Sequence, residues 1–459
     1  MNWLISHGTV LVAQPSPDPR APVTWQTLPD HHVLVRDNQI EAVTPTLSSN
    51  WQPDETLDAT GCFVLPGLIN THHHLFQSIS RCLPAVQNAS LFAWLTGLYP
   101  GWRAVDFQAL KIAAQVSLAE LMLSGCTTTN DMMYLFPRGS DVRLEAVLEA
   151  ADELGIRIHA GRGSMAIGQR HGSLAPDELT EEEPVILRDA ERVLRRFHNR
   201  ARLAMQRVDL MPCAPFSISR ELFRDTLQLA RAYGALCHTH VAETLDEERY
   251  CRDRFGVRPL DYVMSAGWHG PDVSLAHCVH VNTDEIHQLA TTHTAVAHCP
   301  SSNMILGSGI PPVVEMLRAG VTVGLGVDGS ASNHGGHLLA EARQALLLQR
   351  VRYGAGSFTA QDAITLATVG GARLLNRADE LGNLAPGYAA DVAVFDLGTI
   401  EFAGAAVHDP LAALVMCHAP RVRDVFVNGR LVVRNGQLTR VDERALAARL
   451  NETVRRLYR

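Results

Sequence analysis

The sequence predicts an α/β protein: a (β/α)8 TIM barrel with a small β-sandwich built from the N- and C-terminal segments. Through the middle of the chain, apolar runs of strand length alternate with long amphipathic stretches, the rhythm of repeated βαβ units. Eight such runs can be counted, the number that closes a barrel. At both ends the texture changes to short alternating or β-branched runs broken by turn residues.

In chain order, the first strand-like runs are 8–13 and 32–35, separated by a turn-rich segment at 15–22. The eight barrel strands follow at 63–70, 127–131, 157–160, 208–213, 236–240, 273–277, 294–298 and 321–327. Amphipathic stretches such as 110–124, 141–154, 182–198 and 221–233 supply helices between them. Strand texture returns at 390–396 and 425–433, where Asn428-Gly429 marks a tight hairpin turn. The two ends are therefore expected to pair, giving a composite sandwich of 1–64 with 385–440, a barrel over 65–384 and a C-terminal helix over 441–459.

With 459 residues, 46% hydrophobic and 19% charged, the chain has the composition of a globular enzyme with one large domain and a smaller companion. A net charge of -8 supplies no basic excess to track a phosphate backbone, so small molecules are expected as partners and nucleic acid is not. The nine cysteines are scattered, odd in number and never spaced as CxxC, which argues against a disulfide framework or a four-cysteine zinc site and favours a reducing cytoplasm. Residues 1–12 lack the basic start and apolar run of a secretory signal, and no long uncharged apolar stretch occurs, so neither export nor membrane insertion is expected.

In Asn70-Thr71-His72-His73-His74 the outer histidines are two residues apart at a strand end, so both emerge on one face. His240, His277 and Asp328 close three further strands, where barrel enzymes carry their chemistry. Imidazoles with a carboxylate suit Zn2+, or Fe2+, better than the all-oxygen ions Mg2+ and Ca2+. The set His72, His74, His240 and Asp328 leaves room for a water. Glu243, three residues beyond His240, can overlook such a metal without binding it, the position of a proton shuttle. His277 is open between a fifth ligand, a hydrogen-bonding partner of the bound hydroxide and a core residue; the second is favoured. His238 shares the parity of His240 but lies one layer deeper, as a hydrogen-bonded core histidine, and His73 points to the opposite face. Trp94, Trp102 and Tyr134 could stack on a flat ring or simply pack. His298, His334 and His337 are open between pocket and structural roles.

The runs Leu65-Pro66-Gly67-Leu68-Ile69-Asn70-Thr71-His72-His73-His74, His240-Val241-Ala242-Glu243-Thr244, His298-Cys299-Pro300-Ser301-Ser302-Asn303 and Gly326-Val327-Asp328-Gly329-Ser330 resemble the amidohydrolase superfamily, in its branch of guanine, cytosine and triazine hydrolases. Within that branch, the segments at 91–95, 98–100, 134–137 and 212–217 are similar to the 8-oxoguanine deaminases. The resemblance implies one divalent metal, Zn2+ first, with Glu243, His277 and Asp328 as catalytic groups. It also implies substrate contacts from Gln77, Trp94, Tyr134 and Cys213, and a homo-oligomer. The implied reaction replaces an exocyclic amino group of a purine-like ring by oxygen, taking 8-oxoguanine to urate. Alternatives are isoxanthopterin, guanine, cytosine or a triazine as substrate, or a non-catalytic scaffold on the same fold. Met132-Met133 departs from the Asp-His-His-Tyr segment of the family. The only lysine, Lys111, falls in a helical pattern, which excludes a carboxylated lysine bridging two metals. Residues 324–329 match GxGxxG but open no helix, so nucleotide binding is not expected; the His-x-Glu and Pro-Cys-x-x-Cys signature of cytidine-type deaminases is missing.

Overall fold

The computed structural model describes residues 1–14, 21–418 and 420–459; of the turn-rich segment expected at 15–22, residues 15–20 lie outside the described residues. Eight parallel strands form one sheet: β1 (Leu68–Asn70), β2 (Cys126–Met133), β3 (Arg157–Ser164), β4 (Gln206–Pro212), β5 (Cys237–Val241), β6 (Val273–His277), β7 (Ala295–His298) and β8 (Val323–Leu325). They pair in chain order, and the Thr71 N–H donates to the Leu325 carbonyl at 2.9 Å, closing the cylinder between its first and last strands. β1, β2 and β3 are buried along their whole length, as parallel strands covered on both faces must be. Helices between the strands are bounded by ordinary chemistry. Ser219 caps Arg220–Tyr233 and Gly234 ends it at φ 67, while Asn282 and Glu285 form a capping box on Thr283–Thr292.

Seven of the expected barrel strands overlap observed ones, with ends displaced by at most four residues. The remaining expectation, the first strand drawn as continuous over 63–70, is corrected. Cys62–Pro66 belongs to the terminal sheet and only Leu68–Asn70 to the barrel. Gly67 is the changeover: its N–H donates to the Asp391 carbonyl at 2.9 Å, and a Cβ there would overlap the Thr127 side chain.

The terminal segments build a nine-stranded sheet in which Val392–Asp396 runs antiparallel to Cys62–Pro66, so the two ends of the chain do pair. This sheet folds over its own core. Trp3 and Phe426 stand 5.0 Å apart between ring centroids, although two strands separate theirs in the ladder. Asn428 and Gly429, at φ 51 and 76, make the expected two-residue turn between Asp424–Val427 and Arg430–Arg434. The last helix, Glu443–Leu457, is capped by Asp442 and buries Leu446 and Leu450; Tyr458 Oη lies 2.8 Å from Ser80 Oγ. Among the described residues no helix is long and apolar enough to cross a membrane.

Barrel and terminal sheet are joined by a buried ion pair. Arg157, at the start of β3, meets the Asp391 carboxylate and donates to Asn428 Oδ1 at 3.2 Å; the Asn428 N–H donates to Asp391 Oδ1 at 2.7 Å. Asp391→Ala would strand a fully buried guanidinium, a loss of about 3–5 kcal/mol for a broken buried pair. A clear fall in the unfolding midpoint is expected; an unchanged midpoint would mean that Arg157 has found another partner.

Candidate active site

The rim at the C-terminal ends of the strands is built from sharp exits. Ala242 after β5, His277 and Cys278 at the end of β6, and Asp328 after β8 all have positive φ, at 54, 71, 46 and 63°, a region non-glycine residues rarely adopt and which clusters at functional sites. Asn70 ties the first exit to its neighbours, donating to Thr129 Oγ1 at 2.9 Å and accepting from the Val327 N–H at 2.9 Å. The Asp328 N–H donates to the His72 carbonyl at 3.0 Å. Residues far apart in sequence are thereby locked side by side.

His74 Nδ1–H donates to the Met132 carbonyl at 2.9 Å, and His240 Nδ1–H donates to the Cys213 carbonyl at 2.6 Å. A carbonyl only accepts, so each neutral ring presents a bare lone pair at Nε2. These two Nε2 atoms nevertheless stand 3.0 Å apart. Asp328 Oδ1 lies 3.3 Å from both His72 Nε2 and His74 Nε2, and His72 Nε2 is buried without a hydrogen-bond partner. One atom each from His72, His240, His277 and Asp328 falls within 4.8 Å of the others. Burial pushes the His72 and His240 imidazoles well below their usual range, leaving them neutral donors. At Asp328, burial raises the carboxyl, but the surrounding imidazoles outweigh it and hold the group well below the usual carboxylate range. Two donors each about 2.1 Å from one cation stand roughly 3.0–3.4 Å apart for angles between perpendicular and tetrahedral. The spacing, the donor types and the orphaned nitrogen therefore fit a divalent cation.

Glu243 lies behind the exit of β5, 5% exposed. Burial pushes its carboxyl up to about 7, with Asp328 adding to the rise and His277 opposing it. Its Oε2 is 3.7 Å from His277 Nε2. His277 pairs through Nδ1 with Asn303 Oδ1 at 3.0 Å, so its Nε2 also turns inward, 3.9 Å from Asp328 Oδ2.

The pocket above these groups is walled by Gln77, Trp94, Tyr134 and Cys213 together with His74, His240, Glu243, His277 and Asp328. Gln77 Nε2 donates to Tyr134 Oη at 3.1 Å, and its Oε1 is buried with no partner. Trp94 Nε1 donates to the Ala331 carbonyl at 3.2 Å. Burial pushes the Cys213 thiol up to about 12, so it faces the pocket uncharged. Leu91, Leu95, Phe216, Leu306 and Ser332 complete the wall and were not singled out from sequence. Leu91, Leu95 and Phe216 sit inside segments that carried the resemblance, whereas Leu306 and Ser332 had no motif to mark them. Met132 takes part through its main chain, as the acceptor for His74.

Other candidates fall elsewhere. His73 accepts the His74 N–H at Nδ1, 2.8 Å away, and is outside the pocket wall. His298 is fully buried and outside the pocket wall. His334 accepts from the Cys82 N–H and His337 bonds the Pro420 carbonyl, both away from the pocket. Lys111 pairs with Glu149 and Glu153 at 2.8 and 2.7 Å, remote from the centre.

Residues 63–432 match the amidohydrolase family. The chain is 47% identical to the 8-oxoguanine deaminase of Pseudomonas aeruginosa over 418 residues, covering 91% of this chain and 92% of that protein. It is 37% identical to an isoxanthopterin deaminase from an unknown prokaryotic organism, covering 89% and 88%. Among solved structures, the atrazine chlorohydrolase of Arthrobacter aurescens TC1 complexed with zinc superposes with a TM-score of 0.92 at 32% identity, covering 98% of this chain and all of the other. The chain belongs to the amidohydrolase family of hydrolytic enzymes.

Proposed function

We propose that the protein is a Zn2+-dependent aminohydrolase that replaces an exocyclic amino group of a purine-like heterocycle by oxygen, with 8-oxoguanine and water giving urate and ammonia. The observation that carries this reading is the convergence of His72, His74, His240 and Asp328 beneath a pocket walled by Gln77, Trp94 and Tyr134. The 8-oxoguanine deaminase relative supports the choice of ring. The pocket offers flat aromatic faces and one free amide oxygen, which suits a planar ring bearing N–H groups.

Zn2+, when bound by these four residues, supplies a Lewis acid that brings a water near a pKa of about 7. Glu243 then does the proton work. Its carboxyl, poised near neutrality by burial, accepts one proton of the attacking water and returns it to a ring nitrogen; the second water proton, left on the added hydroxyl, then passes to the departing amino group, which leaves as ammonia. His277, fixed by Asn303, directs its Nε2 at the incoming oxygen. Asp328 stays ionised and holds the centre's charge in balance. Gln77 orients the ring through its amide, which Tyr134 fixes from the other end.

Three measurements test the reading. Ammonia release across 8-oxoguanine, isoxanthopterin, guanine, cytosine and an amino-triazine should be fastest with 8-oxoguanine; no activity on it would defeat the favoured substrate. Glu243→Gln should retain metal while losing about 100- to 10,000-fold in turnover, the usual worth of a positioned acid or base. Near-normal turnover would remove Glu243 from the mechanism. Stripping divalent ions should lower the thermal midpoint and abolish activity, both returning with Zn2+, because an ion bound only by the folded state stabilises it by mass action. A protein whose midpoint and activity ignore chelation would refute the metal assignment.

A further inference from the structure

The three imidazoles read as metal ligands, His72, His74 and His240, are oriented in two different ways. His74 and His240 donate to main-chain carbonyls, which no substitution removes. His72 is oriented by a side chain: its Nδ1 lies 2.8 Å from His238 Nε2, and His238 Nδ1 lies 2.7 Å from Ser274 Oγ. His238 and Ser274 are direct partners in the β5–β6 ladder, one layer below His240. Both imidazoles are 0% exposed and Ser274 is 5% exposed, so no bulk water can substitute for either link.

A neutral imidazole carries one proton, and this chain can be filled in two senses. In one, His72 Nδ1–H donates to His238 Nε2 and His238 Nδ1–H donates to Ser274 Oγ; His72 Nε2 is then a lone pair facing Asp328, able to bind a cation. In the other, Ser274 Oγ–H donates to His238 Nδ1 and His238 Nε2–H donates to His72 Nδ1. That places the His72 proton on Nε2, 3.3 Å from Asp328 Oδ1, and closes the position to a metal. We propose that His238, backed by Ser274, is a positioning residue for the metal site, acting through His72 by accepting its Nδ1 proton. The proposal rests on reading His72 as a ligand, and it gives His238 a specific task in place of ordinary core packing. Such outer partners of ligand histidines are typically worth 10- to 100-fold in metal affinity.

The test is the apparent Zn2+ affinity of wild type, His238→Phe, His238→Gln and Ser274→Ala, measured by competition with a chromophoric chelator, with circular dichroism recorded on each metal-free protein. His238→Phe keeps a planar ring but offers no acceptor, and should bind Zn2+ about 10- to 100-fold more weakly. His238→Gln restores an acceptor oxygen and should recover most of that loss, with Ser274→Ala falling between. A folded His238→Phe that binds Zn2+ as wild type does would overturn the proposal. If that variant does not fold, Ser274→Ala decides, and unchanged affinity there overturns it equally. Wild-type protein that binds no Zn2+ would defeat the metal reading itself and this inference with it.

Discussion

Acceptors facing acceptors in a dry interior are the constraint on which the rest of the structure depends. The inward nitrogens of His74 and His240 are lone pairs because their other nitrogens are committed to carbonyls, yet they stand 3.0 Å apart. Beside them lies the Asp328 carboxylate. Unpaired polar groups of this kind are expensive to bury, and a cation is the species that turns their mutual repulsion into coordination. Burial also keeps the His72 and His240 imidazoles neutral and ready to donate their lone pairs.

Holding such a cluster open needs a stiff frame. Parallel strands packed on both faces provide it, and the left-handed exits at Ala242, His277 and Asp328 turn the chain sharply enough to aim side chains inward. Hydrogen bonds between exits keep them in register: Thr71 to Leu325, Val327 to Asn70, and Asp328 to His72. These bonds also close the barrel, so the contacts that join its first and last strands are the ones that hold the site together. The terminal sheet is bound to the opposite end of the strands through Arg157, Asp391 and Gly67, away from the rim.

Close packing then sets the pocket. A Cβ at Gly329 would overlap the Gln77 amide, so the residue after Asp328 has to lack a side chain for Gln77 to reach the site. Tyr134 stands 5.0 Å from the His74 ring and 5.2 Å from Phe76, and Trp94 is tied to the loop after β8. The same loops thus hold both the clustered imidazole and carboxylate donors and the walls of the pocket above them, leaving little freedom to change one without the other.

The sequence by itself determined the alternation of strand and helix, because periodicity and turn chemistry are local and survive without knowledge of contacts. It also marked His72, His74, His240, Glu243, His277 and Asp328, since strand ends and two-residue spacing already say which way a side chain emerges. It could not see the break at Gly67, where the N–H turns to the Asp391 carbonyl of the terminal sheet and Thr127 occupies the space a side chain would need. Nor could it tell His238 from an ordinary core histidine, or assign Met132 and Cys213 their carbonyl contacts. Those roles depend on which atoms from distant strands come within hydrogen-bonding distance, and that is settled only when the barrel closes.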